Sequence, residues 1–151
     1  MDFAWYIVGF VDGEGTFNVS FSQRSKLKTN LEIKPSFSVS QHKRNLEILQ
    51  KIRDYFRVGN IRFSKRDQNF KYEVRSLKDL NQKIVPFFKN HHLKTTKAKD
   101  FEIFSDICHS MAISHHLNSD YLRQMIEKAY KMNSGGKRKY TQIELLKFLT
   151  R

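Results

Sequence analysis

The sequence predicts an α+β fold in which one four-stranded antiparallel sheet is backed by helices. Three observations carry this. Apolar residues at helical spacing (Phe3, Ile7, Phe10, Val11) give way after Gly15 to a period of two. The succession of a helix and then a hairpin occurs twice. After the second hairpin the spacing stays helical to the end of the chain. The expected order is therefore helix, hairpin, helix, hairpin, helices.

The first helix ends in Gly13-Glu14-Gly15, a sequence suited to a chain leaving helical geometry. Phe17, Val19 and Phe21 then alternate with Asn18, Ser20 and Ser22, and a basic polar loop follows from Arg24 to Asn30. Leu31, Ile33, Phe37 and Val39 alternate with Glu32, Lys34, Ser36, Ser38 and Ser40 in a second strand. Pro35 inside it predicts an edge strand or a bulge. Leu46, Leu49, Ile52 and Phe56 mark a helix ending before Gly59. Ile61 and Phe63, then Phe70, Tyr72 and Val74, form the arms of a second hairpin with a polar turn from Ser64 to Asn69. Ser76 with Asp79 three residues on opens a helix carrying Leu77, Leu80 and Ile84, with Pro86 near its end. A further helix runs from about Lys97 to His109. Asn118-Ser119-Asp120 opens another (Leu122, Met125, Ile126, Ala129), closed by Asn133-Ser134-Gly135-Gly136, and Thr141 to Leu149 is the last.

A chain of 151 residues with 13 phenylalanines can bury a real core and is expected to form one domain over 1–151. Its 28 Lys and Arg against 15 Asp and Glu give a net charge of +13, which points to a polyanion partner. An anionic membrane is the weaker candidate, since no apolar run is long enough to span one. Met1 is followed by Asp2 and a helix at once, so no signal peptide is expected. The one cysteine, Cys108, excludes an internal disulfide framework and reads as a buried apolar residue in a reducing compartment. His91-His92 and His115-His116 are adjacent pairs, whose side chains diverge and so make poor metal ligands.

Residues 7–15, Ile-Val-Gly-Phe-Val-Asp-Gly-Glu-Gly, are the most unusual stretch. Gly9 and Gly13 lie four apart on one helical face, where each costs about 1 kcal/mol relative to alanine. Together they permit another backbone to approach closely. Glu14 falls at the helix C-terminus, among carbonyls that disfavour an anion. Two readings stand here: an ordinary helix end with a solvated glutamate, or a carboxylate placed to meet a cation.

Residues 20–66 hold twelve basic residues against three acids, a net of +9. Alternation puts Asn18, Ser20, Ser22, Lys34, Ser38, Ser40, Asn60, Arg62, Lys71, Glu73 and Arg75 on one polar sheet face, flanked by Arg24, Lys26, Lys28 and Ser64 in the turns. Such a set can touch phosphates and read base edges in a major groove. It can equally be a plain solvated face. Lys137-Arg138-Lys139 is either a flexible charged loop or a clamp on a phosphate backbone.

These residues resemble the LAGLIDADG homing endonucleases, through residues 7–15 and along most of the chain. Phe37-x-Val39-x-Gln41 with Leu46, Ile52, Phe56, Gly59 and Ile61 is similar to the family's strand-helix-hairpin segment. Pro86-Phe87-Phe88, Leu93-Lys94-Thr95-Thr96-Lys97 and Phe101 are similar to its second half, and Lys137-Arg138-Lys139 to its C-terminal phosphate-contacting loop. The resemblance implies a saddle-shaped sheet in the DNA major groove and a homodimer packed through Gly9, Gly13, Ile7 and Val8. It implies Mg²⁺ held by Glu14 and the Gly13 carbonyl, with Mn²⁺ or Ca²⁺ able to substitute for binding. Glu14, Gln41 and Lys94 are the implied catalytic residues, with Lys97 as the alternative lysine and Asp12 in a structural role. Asn45 stands near where some members carry a basic residue, leaving Arg44 or Lys43 to replace it. The implied activity is site-specific double-strand DNA cleavage leaving 3′ overhangs. An RNA maturase and an inactive DNA-binding module are the alternatives on the same fold. An intracellular, organellar (mitochondrion or chloroplast), intron-encoded protein is the expected setting.

Overall fold

A computed structural model describes residues 2–133 and 138–149. Helix α1 (Phe3–Glu14) runs directly into strand β1 (Gly15–Gln23), which a polar loop joins to β2 (Leu31–His42). Helix α2 (Leu46–Phe56) follows, then the hairpin β3 (Asn60–Ser64) and β4 (Asn69–Val74). The remainder is helical: α3 (Leu77–Asp79), a π-helical turn (Leu80–Ile84), α4 (Val85–Asn90), α5 (Lys97–Ala112), α6 (Ser119–Ala129) and α7 (Gln142–Leu149). The four strands form one antiparallel sheet in the order β1-β2-β4-β3. Contacts divide the chain into two compact units, Met1–Phe17 with Ser36–Ala98 and Asn18–Pro35 with Lys99–Arg151.

In the first unit, Asp2 caps α1 by accepting the Ala4 N–H at 3.0 Å, and Ala4, Ile7, Val8 and Val11 are buried. The helix does not end in a left-handed glycine. Gly15 is extended (φ −83°), and its N–H bonds the Val11 carbonyl. Glycine is needed there for space, because a Cβ would sit 2.6 Å from Val11 Cγ1. Gly59 combines both demands, with φ +89° and a Cβ position 2.8 Å from the Glu73 carbonyl oxygen.

Pro35 sits in a central strand, not an edge one, and the physical reason lies in the register. The β2–β4 ladder begins at Phe37, so Pro35 removes no hydrogen bond from it. The apolar side of the sheet packs by rings: Phe37 lies 5.3 Å from Phe17 and 5.7 Å from Phe88, and Phe56 lies 5.0 Å from Phe87. Such pairs add about 0.5–1.5 kcal/mol each beyond the area they bury. Tyr72 is fully buried, and its hydroxyl donates to the Val58 carbonyl at 2.6 Å. Burial pushes that phenol well above its ordinary range.

Pro86 opens α4 and does not close the helix before it. Its ring would clash with a carbonyl four residues back in a regular helix, and the π turn just before it relaxes that conflict. In the second unit, the Asn118 side chain caps α6 through the Asp120 and Tyr121 N–H groups. Thr141 and Glu144 form a reciprocal capping box at α7. Phe104, Ile107, Leu122, Ile126 and Leu145 are its buried core. Cys108 is buried as expected, its thiol pushed up to about 12 by burial.

Candidate active site and nucleic-acid interface

The last turn of α1 is tied to the segment after α4. The Asp12 carboxylate accepts the N–H groups of Lys94 (2.8 Å) and Thr95 (3.2 Å) and the Thr95 hydroxyl (2.9 Å). Partial burial works against the ionised form, but these four donors and charges (Lys94, the two from Thr95, and the nearby Lys97) hold the carboxyl below its ordinary value. Asp12 is therefore a tether, as its expected structural role requires. Thr95 Oγ1 also accepts the Lys97 N–H at 3.2 Å, which starts α5.

That tether aims the two candidate lysines in different directions. Lys97 Nζ donates to the carbonyls of Val11 (3.0 Å) and Asp12 (3.2 Å) at the open end of α1. It supplies a positive charge where the helix dipole is negative. Lys94 Nζ instead lies 5.9 Å from the Trp5 ring on the first turn of α1. Trp5 and Glu14 are nine residues apart, about 13 Å along the helix. Lys94 contributes its backbone N–H to the site, and its ammonium points away. Of the two candidates, it is Lys97 whose ammonium lies at the C-terminal end of α1.

Gln41, near the end of β2, accepts from Asn45 Nδ2 at 3.1 Å. Asn45 therefore orients Gln41 and takes no basic role itself. Lys43 and Arg44 are both exposed, and Lys43 Nζ donates to Gln68 Oε1 at 3.2 Å. Gly13 and Glu14 are exposed, and among the described residues Glu14 makes no ion pair. No group of three or more His, Cys, Asp or Glu able to hold a metal exists among the described residues. One chain offers the hard oxygens of Glu14 and Gly13, donors suited to Mg²⁺ or Ca²⁺, but too few to form a cage.

Gly9 and Gly13 lie on the exposed face of α1, and a Cβ at either would meet nothing within 4 Å. Nothing inside the chain requires them to be glycine. Trp5 (48% exposed) and Tyr6 (37%) share that outer surface. Ile7 and Val8 are corrected: they are buried at 0% and 3% exposure, because the helix turns them into the chain's own core.

The polar face of the sheet is read directly from the register. Ser38, Glu73 and Asn60 form one cross-strand row, and Ser40, Lys71 and Arg62 the next. His42, Asn69 and Ser64 form a third. His42 and Asn69 were missed by the sequence reading; extending the alternation by one more step on β2 and β4 finds both. Glu73 is 8% exposed, beneath Arg62, Lys71 and Arg75. In the second unit, Asn18, Ser20 and Ser22 alternate with the buried Val19 and Phe21. Arg24 and Lys34 flank Glu32 at 3.1 and 3.8 Å, and Lys26 and Lys28 are exposed in the loop.

Arg138 also differs from its expected role. Its guanidinium donates to the carbonyls of Val19 (2.6 Å) and Ala129 (2.8 Å) and stacks over Tyr130, so it braces the outer edge of β1 and is not the free cation the sequence suggests. Desolvation lowers its ordinary value. Lys139 is exposed, its Nζ 5.2 Å from the Tyr140 ring, and Lys137 lies outside the described residues.

The LAGLIDADG endonuclease family profile matches residues 7–108, from the glycine-acid helix end through the lysine segment. The chain belongs to the LAGLIDADG endonuclease family. Over 97% of its length it is similar to the homing endonuclease I-TnaI, at 35% identity and a TM-score of 0.85, and covers 95% of that chain. It also matches I-SmaMI, solved bound to an uncleaved DNA target in the presence of calcium ions, at 31% identity and a TM-score of 0.85. That match covers 89% of this chain and 46% of I-SmaMI. A probable intron-encoded endonuclease of Neurospora crassa is 29% identical over 132 residues, 87% of this chain. The chain spans 25% of that curated relative's length. Among the described residues, no helix of this LAGLIDADG chain is long and apolar enough to cross a membrane.

Proposed function

We propose that two copies of this chain form a Mg²⁺-dependent, site-specific double-strand DNA endonuclease encoded by an intron. The observation that carries the proposal is the glycine face of α1. Gly9 and Gly13 leave open space on a helix whose exposed end carries Glu14. A second α1 laid on that face brings two Glu14 carboxylates together. Two anions so close repel unless a divalent cation lies between them. The likeness to about half of I-SmaMI, a chain roughly twice as long and DNA-bound, is consistent with two such units acting together.

Glu14 and the Gly13 carbonyl would hold the metal, which when bound supplies an activated water and charge stabilisation at the leaving 3′ oxygen. Lys97 places its ammonium at the end of α1, where it offsets charge developing on the scissile phosphate. Gln41, oriented by Asn45, positions the attacking water. Asp12 ties the last turn of α1 to the lysine segment. Ser40, Asn60, Arg62 and Lys71 of the sheet's polar rows lie in the major groove and read base edges, whereas Ser38, buried at 8% exposure, is withdrawn from that contact. Two such faces related by a two-fold axis span a pseudo-palindrome of about 20 bp. The test is selection of cleaved sites from a random duplex library in Mg²⁺. A symmetric target with short 3′ overhangs is expected; an asymmetric target or blunt ends would overturn the two-copy arrangement.

A further inference from the structure

Glu73 is an unexpected residue on a face meant for a polyanion. It lowers the net charge there, and burying its carboxylate to 8% exposure carries a desolvation penalty. Its neighbours explain what offsets this. Arg62 and Lys71 stand directly opposite one another on the same face, a like-charge pair that destabilises a sheet. Glu73 lies diagonal to Arg62 and two residues from both Lys71 and Arg75 along the chain. Its Oε1 accepts from Arg62 Nη2 at 2.9 Å and lies 3.8 Å from Arg75 Nε, while its Oε2 lies 3.5 Å from Lys71 Nζ. The three cations are 43–63% exposed, so their outward ends face solvent while their inner ends meet one buried anion. Beside them lies a recess of about 410 Å³ lined by Asn60, Arg62, Arg75 and Asp79, into which unheld side chains would have room to turn.

We propose that Glu73 is a specificity-determining positioning residue: it makes no DNA contact itself, and fixes the direction in which Arg62, and with it Lys71 and Arg75, presents donors to base edges. This rests on the reading that the sheet face meets duplex DNA. Holding one Arg62 nitrogen leaves a forked pair of N–H donors pointing outward, the geometry that matches guanine O6 and N7. Without the anchor the same charge remains, more mobile and stronger in net terms. Affinity for any sequence then rises while discrimination falls.

The test compares cleaved-site profiles of wild type, Arg62→Ala and Glu73→Gln, together with the salt dependence of binding to a non-cognate duplex. Arg62→Ala relaxes discrete positions. Glu73→Gln is expected to relax the same positions by about tenfold and to steepen the logarithmic salt slope by about one unit, because a negative charge has left the face. A Glu73→Gln profile identical to wild type at the Arg62 positions, or a uniform loss of binding with no change in slope, overturns the inference. Should Glu73→Gln fold poorly, nitrogen NMR of the wild-type protein decides. Restricted rotation with separate Nη signals for Arg62 is expected, and one averaged signal contradicts it. A wild type that cuts without sequence preference is a different failure, that of the base-reading face itself, and removes the inference with it.

Discussion

Replacing Lys97 by methionine keeps the aliphatic stem and removes the ammonium that bonds the Val11 and Asp12 carbonyls at 3.0 and 3.2 Å. Hydrogen bonds to charged groups contribute about 1.5–3 kcal/mol each, and a cation in the last turn of a helix about 0.3–1 kcal/mol. Half-exposure and the entropy of ordering a lysine, about 2 kcal/mol, pull the net value down to about 1–2 kcal/mol. For a chain of this size that is a fall of roughly 3–6 °C in Tm. The catalytic loss is larger. Removing a preorganised charge from a reacting phosphate costs about 10²- to 10³-fold in rate. A domain with about 5–15 kcal/mol of stability stays folded through the first loss, so unfolding cannot mimic the second. Lys94→Met is the control. Its ammonium makes only an exposed cation–π contact worth about 0.5 kcal/mol, and its N–H to Asp12 survives. Single-turnover cleavage, with denaturation curves on the same samples, separates the two. A Lys94→Met enzyme slowed a hundredfold beside an active Lys97→Met enzyme would refute the assignment.

Gly9→Leu fills the open face of α1 without touching its own chain, so the monomer stays folded and dimerisation fails. Light scattering that still reports a dimer contradicts the interface. Asp12→Asn tests linkage. A carboxyl whose folded pKa is depressed adds stability above its ordinary value near 3.9, and that stability is lost as pH falls through the folded value. The wild-type denaturation midpoint should therefore fall more steeply below about pH 4 than that of Asp12→Asn, and parallel curves would refute the tether. Arg138→Ala removes two charge-assisted bonds and should destabilise by about 2–4 kcal/mol, with no change in the salt slope of DNA binding. Lys139→Ala should do the reverse, flattening the slope by about one unit and leaving Tm alone.

What was legible in the sequence was whatever local pattern controls. The period change at Gly15 and the Asn118 cap are each written within a few residues, and the structure places both where the pattern does. The misplacements share a different origin. Pro35 reads as an edge because alternation does not reveal where the neighbouring ladder begins. Pro86 reads as an ending because a π turn leaves no periodic trace. Lys94 and Lys97 follow the same turn in sequence, and only the Asp12 tether, 82 residues away from Lys94, decides which ammonium faces Glu14's end of α1. Arg138 reads as a free cation because its acceptor on Val19 lies 119 residues away. Ile7 and Val8 show the limit of a motif: membership does not say which side of the helix faces out.

Glu14 carries the central claim, that the exposed end of α1 is where phosphodiester chemistry occurs. The most direct measurement is cleavage by Glu14→Gln on a selected target in Mg²⁺, with binding to the same duplex measured in parallel. No detectable cleavage and near wild-type affinity are expected, since the change removes the carboxylate proposed to hold the metal from a residue exposed outside the core. A variant that still cuts in Mg²⁺ would contradict it.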